Sequence, residues 1–302
     1  MSTRPVKDAA QRRGKRGASF IAAAGLAAIC GMSALPASAQ DEPERRALRV
    51  CQDPNNLPFS NEAGAGIENR IAEVFGKALG LPVTYYSFPQ RQAFIRNTLR
   101  YKLPGEDFRC DLVMGVPAGF DQVSATKPYY RSTYAMVFPK GRGLDGVASQ
   151  EDFLKLDPAV LKKLRIGIYD RSPASDWLAR HQLLEQGVPY AIMSPRPDQY
   201  PGEIIEQDLA AGKIDVAIVW GPIAGFFAKR VKSPELNVVA MRSERNIKFD
   251  FEIAMGVRHG ERAWKQQVEK LIADSRQDIE AILREYNVPL LPIETTAEGS
   301  GR

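Results

Sequence analysis

The sequence predicts an α/β fold of two lobes joined by two crossing strands, with a central cleft between them. Three observations predict it. Apolar runs of strand length alternate with stretches of helical spacing, the pattern of a largely parallel sheet. That alternation runs once over residues 48–116 and starts again after residue 143. Two extended apolar stretches, near 130–138 and 250–257, separate the halves and can carry the chain across.

The first element is a leader. Arg12, Arg13, Lys15 and Arg16 form a basic head, an apolar run covers 18–35, and Ala37-Ser38-Ala39 offers a small-residue cleavage site. The apolar run is too short and too rich in small residues for a lasting anchor. The Arg12-Arg13 pair lacks the apolar residues that should follow a twin-arginine signal, and Ile29 is too bulky to precede a lipidated Cys30. We therefore expect residues 1–39 to be a signal peptide of the general secretory route, and the mature chain to be periplasmic. The whole chain has 41 basic and 36 acidic residues. Removing Arg4, Lys7, Arg12, Arg13, Lys15, Arg16 and Asp8 with the leader leaves 35 of each. A balanced chain has no field to draw in phosphates, so nucleic acid is not an expected partner. No later apolar run reaches the ~20 residues of a membrane helix, so no span is expected after signal removal.

Residues 48–51 read as a strand opening into the loop 52–59. Ile67, Ile71, Val74, Phe75, Ala78 and Leu79 follow helical spacing, and Gly80 stands where a helix stops. Residues 82–88 read as a strand, 92–101 as a helix, and 111–116 as a buried parallel strand. An extended run covers 129–139. In the second half, 164–169 is a strand. Ser172 is placed to cap a helix that has Pro173 at its first position and runs to about 185. Strands at 190–193 and 214–220 flank a helix at 204–211. Residues 249–257 form a further strand, and 264–286 one or two amphipathic helices. This assigns 40–137 plus 250–302 to lobe 1 and 138–249 to lobe 2.

Cys51 and Cys110 remain after export, and an oxidising compartment favours a disulfide between them. Parallel pairing in simple register opposes it, because one cysteine ends its strand and the other begins its own. That leaves roughly 10 Å between them, against a limit of about 7 Å. A bond is expected only with a displaced second segment.

In open α/β sheets ligands sit beyond the carboxyl ends of the strands. The loops at 53–59, 117–121, 170–175 and 220–224 qualify. The strings Cys51-Gln52-Asp53-Pro54-Asn55-Asn56-Leu57-Pro58-Phe59-Ser60-Asn61, Cys110-Asp111-Leu112-Val113-Met114-Gly115-Val116-Pro117, Thr126-Lys127-Pro128-Tyr129-Tyr130-Arg131-Ser132 and Val219-Trp220-Gly221-Pro222 resemble the family-3, type II periplasmic solute-binding proteins. Within that fold the chain most resembles the MoxJ/XoxJ proteins. The resemblance implies a non-enzymatic periplasmic accessory protein of a PQQ-dependent methanol dehydrogenase, acting with that dehydrogenase and its cytochrome c. The other reading within the fold is a receptor feeding an ABC permease with a small solute that is not an amino acid.

The departures from amino-acid receptors of this fold are informative. Their carboxylate-binding arginine falls at about Gly119, and no arginine lies between Met114 and Tyr130. Their ammonium-binding aspartate falls at Trp220. A zwitterion would be desolvated without either partner, which costs several kcal/mol. An apolar or aromatic ligand, or an inserted protein segment, fits better. The expected ligand contacts are Asn55, Asn56, Phe59, Pro117, Tyr129, Tyr134, Arg171, Ser172, Trp220 and Gly221. Each has a plainer role open to it. Phe59 either stacks on ligand or packs on the next loop, and Trp220 either meets ligand or plugs the cleft. Arg171 and Ser172 either hold an anion at a helix start or form an ordinary cap. Tyr129, Tyr130 and Tyr134 either face the cleft or join the lobes. Gly64-Ala65-Gly66 lacks the strand and third glycine of a dinucleotide motif. His181 and His259 have neither metal-ligand spacing nor a nucleophile motif nearby, and no pair among Asp53, Asp111 and Asp170 can be shown to converge. No catalysis, metal or cofactor is expected.

Overall fold

The computed structural model describes residues 45–90, 93–191 and 198–294; the expected signal peptide lies outside the described residues. β1 (Leu48–Gln52) leads into a small hairpin of β2 (Asn55–Asn56) and β3 (Ser60–Asn61), then α1 (Ile67–Leu79) and β4 (Val83–Ser87). A single turn, α2 (Phe94–Asn97), precedes β5 (Leu112–Pro117), β6 (Ser124–Ala125) and the ten-residue β7 (Tyr130–Pro139). The second half holds α3 (Gln150–Leu154), α4 (Pro158–Leu161), β8 (Ile166–Tyr169), α5 (Pro173–Arg180), β9 (Gly187–Tyr190), β10 (Val216–Trp220), α6 (Gly221–Arg230) and β11 (Leu236–Ala240). β12 (Asp250–Val257), α7 (Arg262–Asp274), α8 (Arg276–Glu285) and β13 (Leu290–Leu291) complete it.

The main sheet runs β4-β1-β5-β12-β7-β10-β8-β9. Pairing is parallel on both flanks and antiparallel around β7 and β12. β7 serves both halves. Its residues 130–133 pair with β12, and 134–137 pair with β10. Strand alternation then sorts the side chains. Met136, Phe138, Val216 and Ile218 enter one apolar cluster of the second half, with Phe153 and Trp177. Their neighbours Ala135, Val137, Ala217 and Val219 enter another, with Ile205 and Phe227. The first half repeats the scheme. Leu48, Val50, Leu112, Met255 and Val257 pack under α1, α7 and α8, while Cys51, Val113 and Ala254 face the other way.

α1 forms where the periodicity places it. Ile67, Ile71 and Phe75 are buried on one face, and Gly80 ends the helix at φ 66°. Other expectations need correction. Of the helix expected at 92–101, residue 92 lies outside the described residues and 93–101 hold one turn, because Asn97 and Thr98 propagate a helix poorly and Ile95 and Leu99 turn into the cluster around Cys51 and Cys110. The helix after Ser172 stops at Arg180, with Gln182 left-handed at φ 57°. The expected strand at 190–193 is shifted to Gly187–Tyr190; residues 192 and 193 lie outside the described residues. The helix expected at 204–211 is a π-helical segment, Ile204–Leu209. α6 directly after Trp220, and β11, were not anticipated.

The cysteine pair meets the condition set for it, a displaced second segment. Cys51 pairs with Val113, yet Cys51 and Cys110 are disulfide-bonded with their Cα atoms 5.3 Å apart. A bend at Asp111 breaks the straight extension. The buried Asp111 carboxylate accepts hydrogen bonds from Arg49 at 2.7 and 3.0 Å and from Arg258 at 2.5 Å. Arg258 also donates to the Cys110 carbonyl at 2.6 Å. This clamp draws Cys110 back beside β1. It also commits Asp111 to structure rather than to a convergent acid pair.

The disulfide closes a loop between positions 59 apart. Replacing both cysteines with alanine should cost roughly 4 kcal/mol in the chain-entropy account. Urea unfolding with and without reductant checks this; the reduced wild type and the double variant should unfold alike.

Candidate functional site

The first wall is the turn between β1 and α1, and its backbone is fastened internally. The Asp53 carboxylate accepts from the amide of Asn55 at 2.8 Å and from that of Gln90. Ser60 donates back to the Asp53 carbonyl at 2.9 Å. The carbonyls of Pro58 and Phe59 accept from the first amides of α1, those of Ile67 and Glu68, both at 2.8 Å. A Cβ at Gly66 would stand 2.1 Å from the Phe59 carbonyl oxygen, so only glycine lets loop and helix meet this closely. The fastened turn reaches the second half. Leu57 and Phe59 pack against the cluster of Val137, Ile205 and Phe227. Asn55 donates to the carbonyls of Asp198 and Gln199 at 3.4 and 3.5 Å. Asn56 instead bonds Gln90, at 2.6 Å.

The second wall grows from β7 and β10. Register places Trp220 opposite Tyr134, with ring centres 5.6 Å apart. Phe251 on β12 lies 5.9 Å from Trp220 and 6.5 Å from Tyr134. Phe249 lies 5.9 Å from Tyr134. Trp220 packs against apolar clusters of both halves and remains half-buried. Its indole faces the Tyr130 hydroxyl and partly offsets the effect of burial on it. Burial pushes the Tyr134 hydroxyl up to about 12. It also raises those of Tyr129 and Tyr130, with Glu68 adding to both.

The expected contacts divide on this geometry. Phe59, Tyr134 and Trp220 converge at the junction of the two halves, while Asn55 and Asn56 sit on the loop that spans it. Tyr129 lies in the first-half core, 7% exposed, so the cleft-facing expectation is corrected in favour of packing. Gly221 is hemmed in: an added Cβ would stand 2.2 Å from the Thr133 carbonyl oxygen and 2.5 Å from Pro289. Ser172 does not cap α5 with its side chain. Its hydroxyl donates to the Tyr169 carbonyl at 2.6 Å, because the turn at left-handed Arg171, φ 56°, brings that oxygen within reach. Arg171 and Pro117 are exposed. Among the described residues, no group of His, Cys, Asp or Glu could hold a metal.

Sequence reasoning missed Glu68, in the first turn of α1. Its carboxyl lies over Gly115 at the end of β5, where an added Cβ would stand 2.4 Å from Oε1. Among the described residues it makes no ion pair. Burial, with Asp53 second, pushes it up to about 8. An acid in a first helical turn ordinarily reads as a partner of the helix dipole, so the sequence carried no distinct signal.

The halves joined through one shared strand, β7, with Trp220 packed against the apolar clusters of both, define a type II periplasmic-binding-protein fold. No family model matches the chain. MoxJ of Methylorubrum extorquens is 28% identical over 295 residues, covering 89% of this chain and 92% of MoxJ. The periplasmic binding protein XoxJ from Methylobacterium extorquens AM1 is 38% identical over 82% of this chain and all of XoxJ, with a TM-score of 0.66. The chain belongs to the MoxJ/XoxJ family. An ancestral cationic amino-acid solute-binding protein, 17% identical with a TM-score of 0.59 over 80% of this chain and 95% of its own, shares the fold. Among the described residues no helix is long and apolar enough to cross a membrane.

Two outcomes follow. Gly221→Ala should lower stability by about 2 kcal/mol through the clash with β7, as read by urea unfolding. Glu68 has its folded value raised above the ordinary 4.5. Between about pH 4.5 and 8 the folded chain therefore keeps a proton that the unfolded chain releases, and stability falls as pH rises through that window. Glu68→Gln should flatten this fall, by roughly 2 kcal/mol once partial solvent contact is allowed for.

Proposed function

We propose that this protein is a non-enzymatic periplasmic accessory protein of a PQQ-dependent methanol dehydrogenase system. Its cleft takes up a segment of the dehydrogenase, or an apolar or aromatic ligand tied to it, and so aids maturation or activation. Lobe 1, at 40–137 plus 250–302, and lobe 2, at 138–249, close on the guest about β7 and β12.

The observation that carries this reading is Trp220. A half-buried indole, ringed by Tyr134 and Phe251, stands where amino-acid receptors of the fold place an aspartate. A cleft so lined rewards burial of apolar and aromatic surface. Arg131, the basic residue on β7, is already paired with Asp250 at 2.5 Å and Glu294 at 2.7 Å, so it is not free to hold a free amino acid's carboxylate. Direct binding of the anionic PQQ is disfavoured on the same ground. Membership of the MoxJ/XoxJ family supports the link to the dehydrogenase.

Calorimetry of the mature chain against the apo dehydrogenase tests the reading. Saturable binding is expected, and Trp220→Ala should weaken it at least tenfold, about 1.4 kcal/mol or more. Absence of binding, with a thermal shift from a small solute instead, would favour delivery to an ABC permease.

A further inference from the structure

Glu68 is an anomaly in a site otherwise built of rings. Several shielded acids among the described residues have a basic partner: Asp111 has Arg49 and Arg258, Asp250 has Arg131, and Asp215 has Arg165. Glu68 has none among the described residues. The groups that face it are Asp53 from the turn after β1, and Tyr129 and Tyr130 from β7. Beyond Tyr130 stands Trp220, whose indole faces the Tyr130 hydroxyl. Nothing in that set is positive. Gly115 leaves the carboxyl open space at the end of β5 that any Cβ would fill. Glu68, Tyr134, Trp220 and Phe251 all keep part of their surface in contact with solvent.

Asp53, the ionised form of Glu68 and a wall of electron-rich rings favour positive charge, and Phe251 already takes one ammonium, that of Lys248, 5.3 Å from its ring centre. Such a surface repels anions and holds a positive group that also carries apolar surface. Resting on the reading that this cleft is the binding site, we propose that Glu68 and the Tyr134–Trp220–Phe251 wall select an organic cation: a protonated amine on an apolar stem. The amine is either a free small molecule or the side chain of a lysine in an inserted partner segment.

The chemistry has a pH signature. Burial holds Glu68 protonated near neutrality, with its midpoint pushed up to about 8. Tyr129 and Tyr130, both raised, stay neutral throughout. An arriving ammonium therefore meets a carboxylic acid, and the complex forms as the acid gives its proton to water. No bond other than this O–H is broken. The apparent affinity should rise about tenfold per pH unit up to about pH 8 and then level.

The test is calorimetry of the mature chain with n-butylammonium and with Nα-acetyl-lysine N-methylamide at pH 6, 7 and 8.5, with n-pentanol as the uncharged control. Expected are binding that strengthens with pH, release of close to one proton at pH 6, and no heat with n-pentanol. Binding of butylammonium alone points to a free amine; binding of the blocked lysine as well points to a side chain. Glu68→Gln should weaken binding at least tenfold and abolish its pH dependence, while Glu68→Asp, which keeps the acid, should retain part of both. The proposal is overturned if neither amine binds at millimolar concentration, if n-pentanol binds equally well, or if Glu68→Gln binds as the wild type does. Should the amines fail while the dehydrogenase still binds in a Trp220-dependent way, the cation proposal falls and the reading of the cleft stands. Should Trp220→Ala leave dehydrogenase binding unchanged, the cleft reading itself falls.

Discussion

The Trp220–Tyr134 pair is the contact on which the rest of the arrangement depends. Both residues lie at the point where β7 leaves its pairing with β12 and takes up pairing with β10. Trp220 consequently touches the apolar clusters of both halves. An indole there cannot be removed without opening a void between them, and part of it stays in contact with solvent. Gly221 follows from the same constraint. With Trp220 fixed against β7, the next residue has room for no side chain beyond hydrogen. α6 starts at that glycine, so one turn of chain sets both the ring's orientation and the helix behind it.

The turn after β1 is the complementary part. Its own hydrogen bonds, the two amides of α1 and the bare backbone of Gly66 hold Leu57 and Phe59 out toward the second half. The wall is thus rigid where it is anchored and meets the other half through apolar contact and two long hydrogen bonds from Asn55. Such contacts are easily exchanged for those of a guest. Glu68 adds an acid unpaired among the described residues, and its raised value follows from burying a carboxyl with another acid, Asp53, nearby.

Much of this was legible in the sequence, for identifiable reasons. The strands and α1 follow from periodicity, and the two-lobed plan follows from the repeated α/β pattern, because burial on both faces forces apolar runs. Trp220 could be singled out because the fold places a charged anchor there. What escaped depends on tertiary contact. Cys110 reaches Cys51 only because Arg49 and Arg258 bend the chain at Asp111, and no local pattern announces that clamp. Tyr129 and Tyr134 read alike along the chain, yet one is core and the other lines the junction. Ser172 looks like a cap, but its hydroxyl finds the Tyr169 carbonyl first. Glu68 looks like an ordinary helix-start acid until Gly115 and the tyrosines of β7 are placed around it.

The central claim is that a guest enters between the turn after β1 and the Trp220 wall. Amide hydrogen exchange of the mature chain, with and without the apo dehydrogenase, tests it most directly. The account predicts slowed exchange at residues 55–60 and 220–225 together when the dehydrogenase is added. Unchanged exchange at both segments, with protection confined to another face of the molecule, would contradict it.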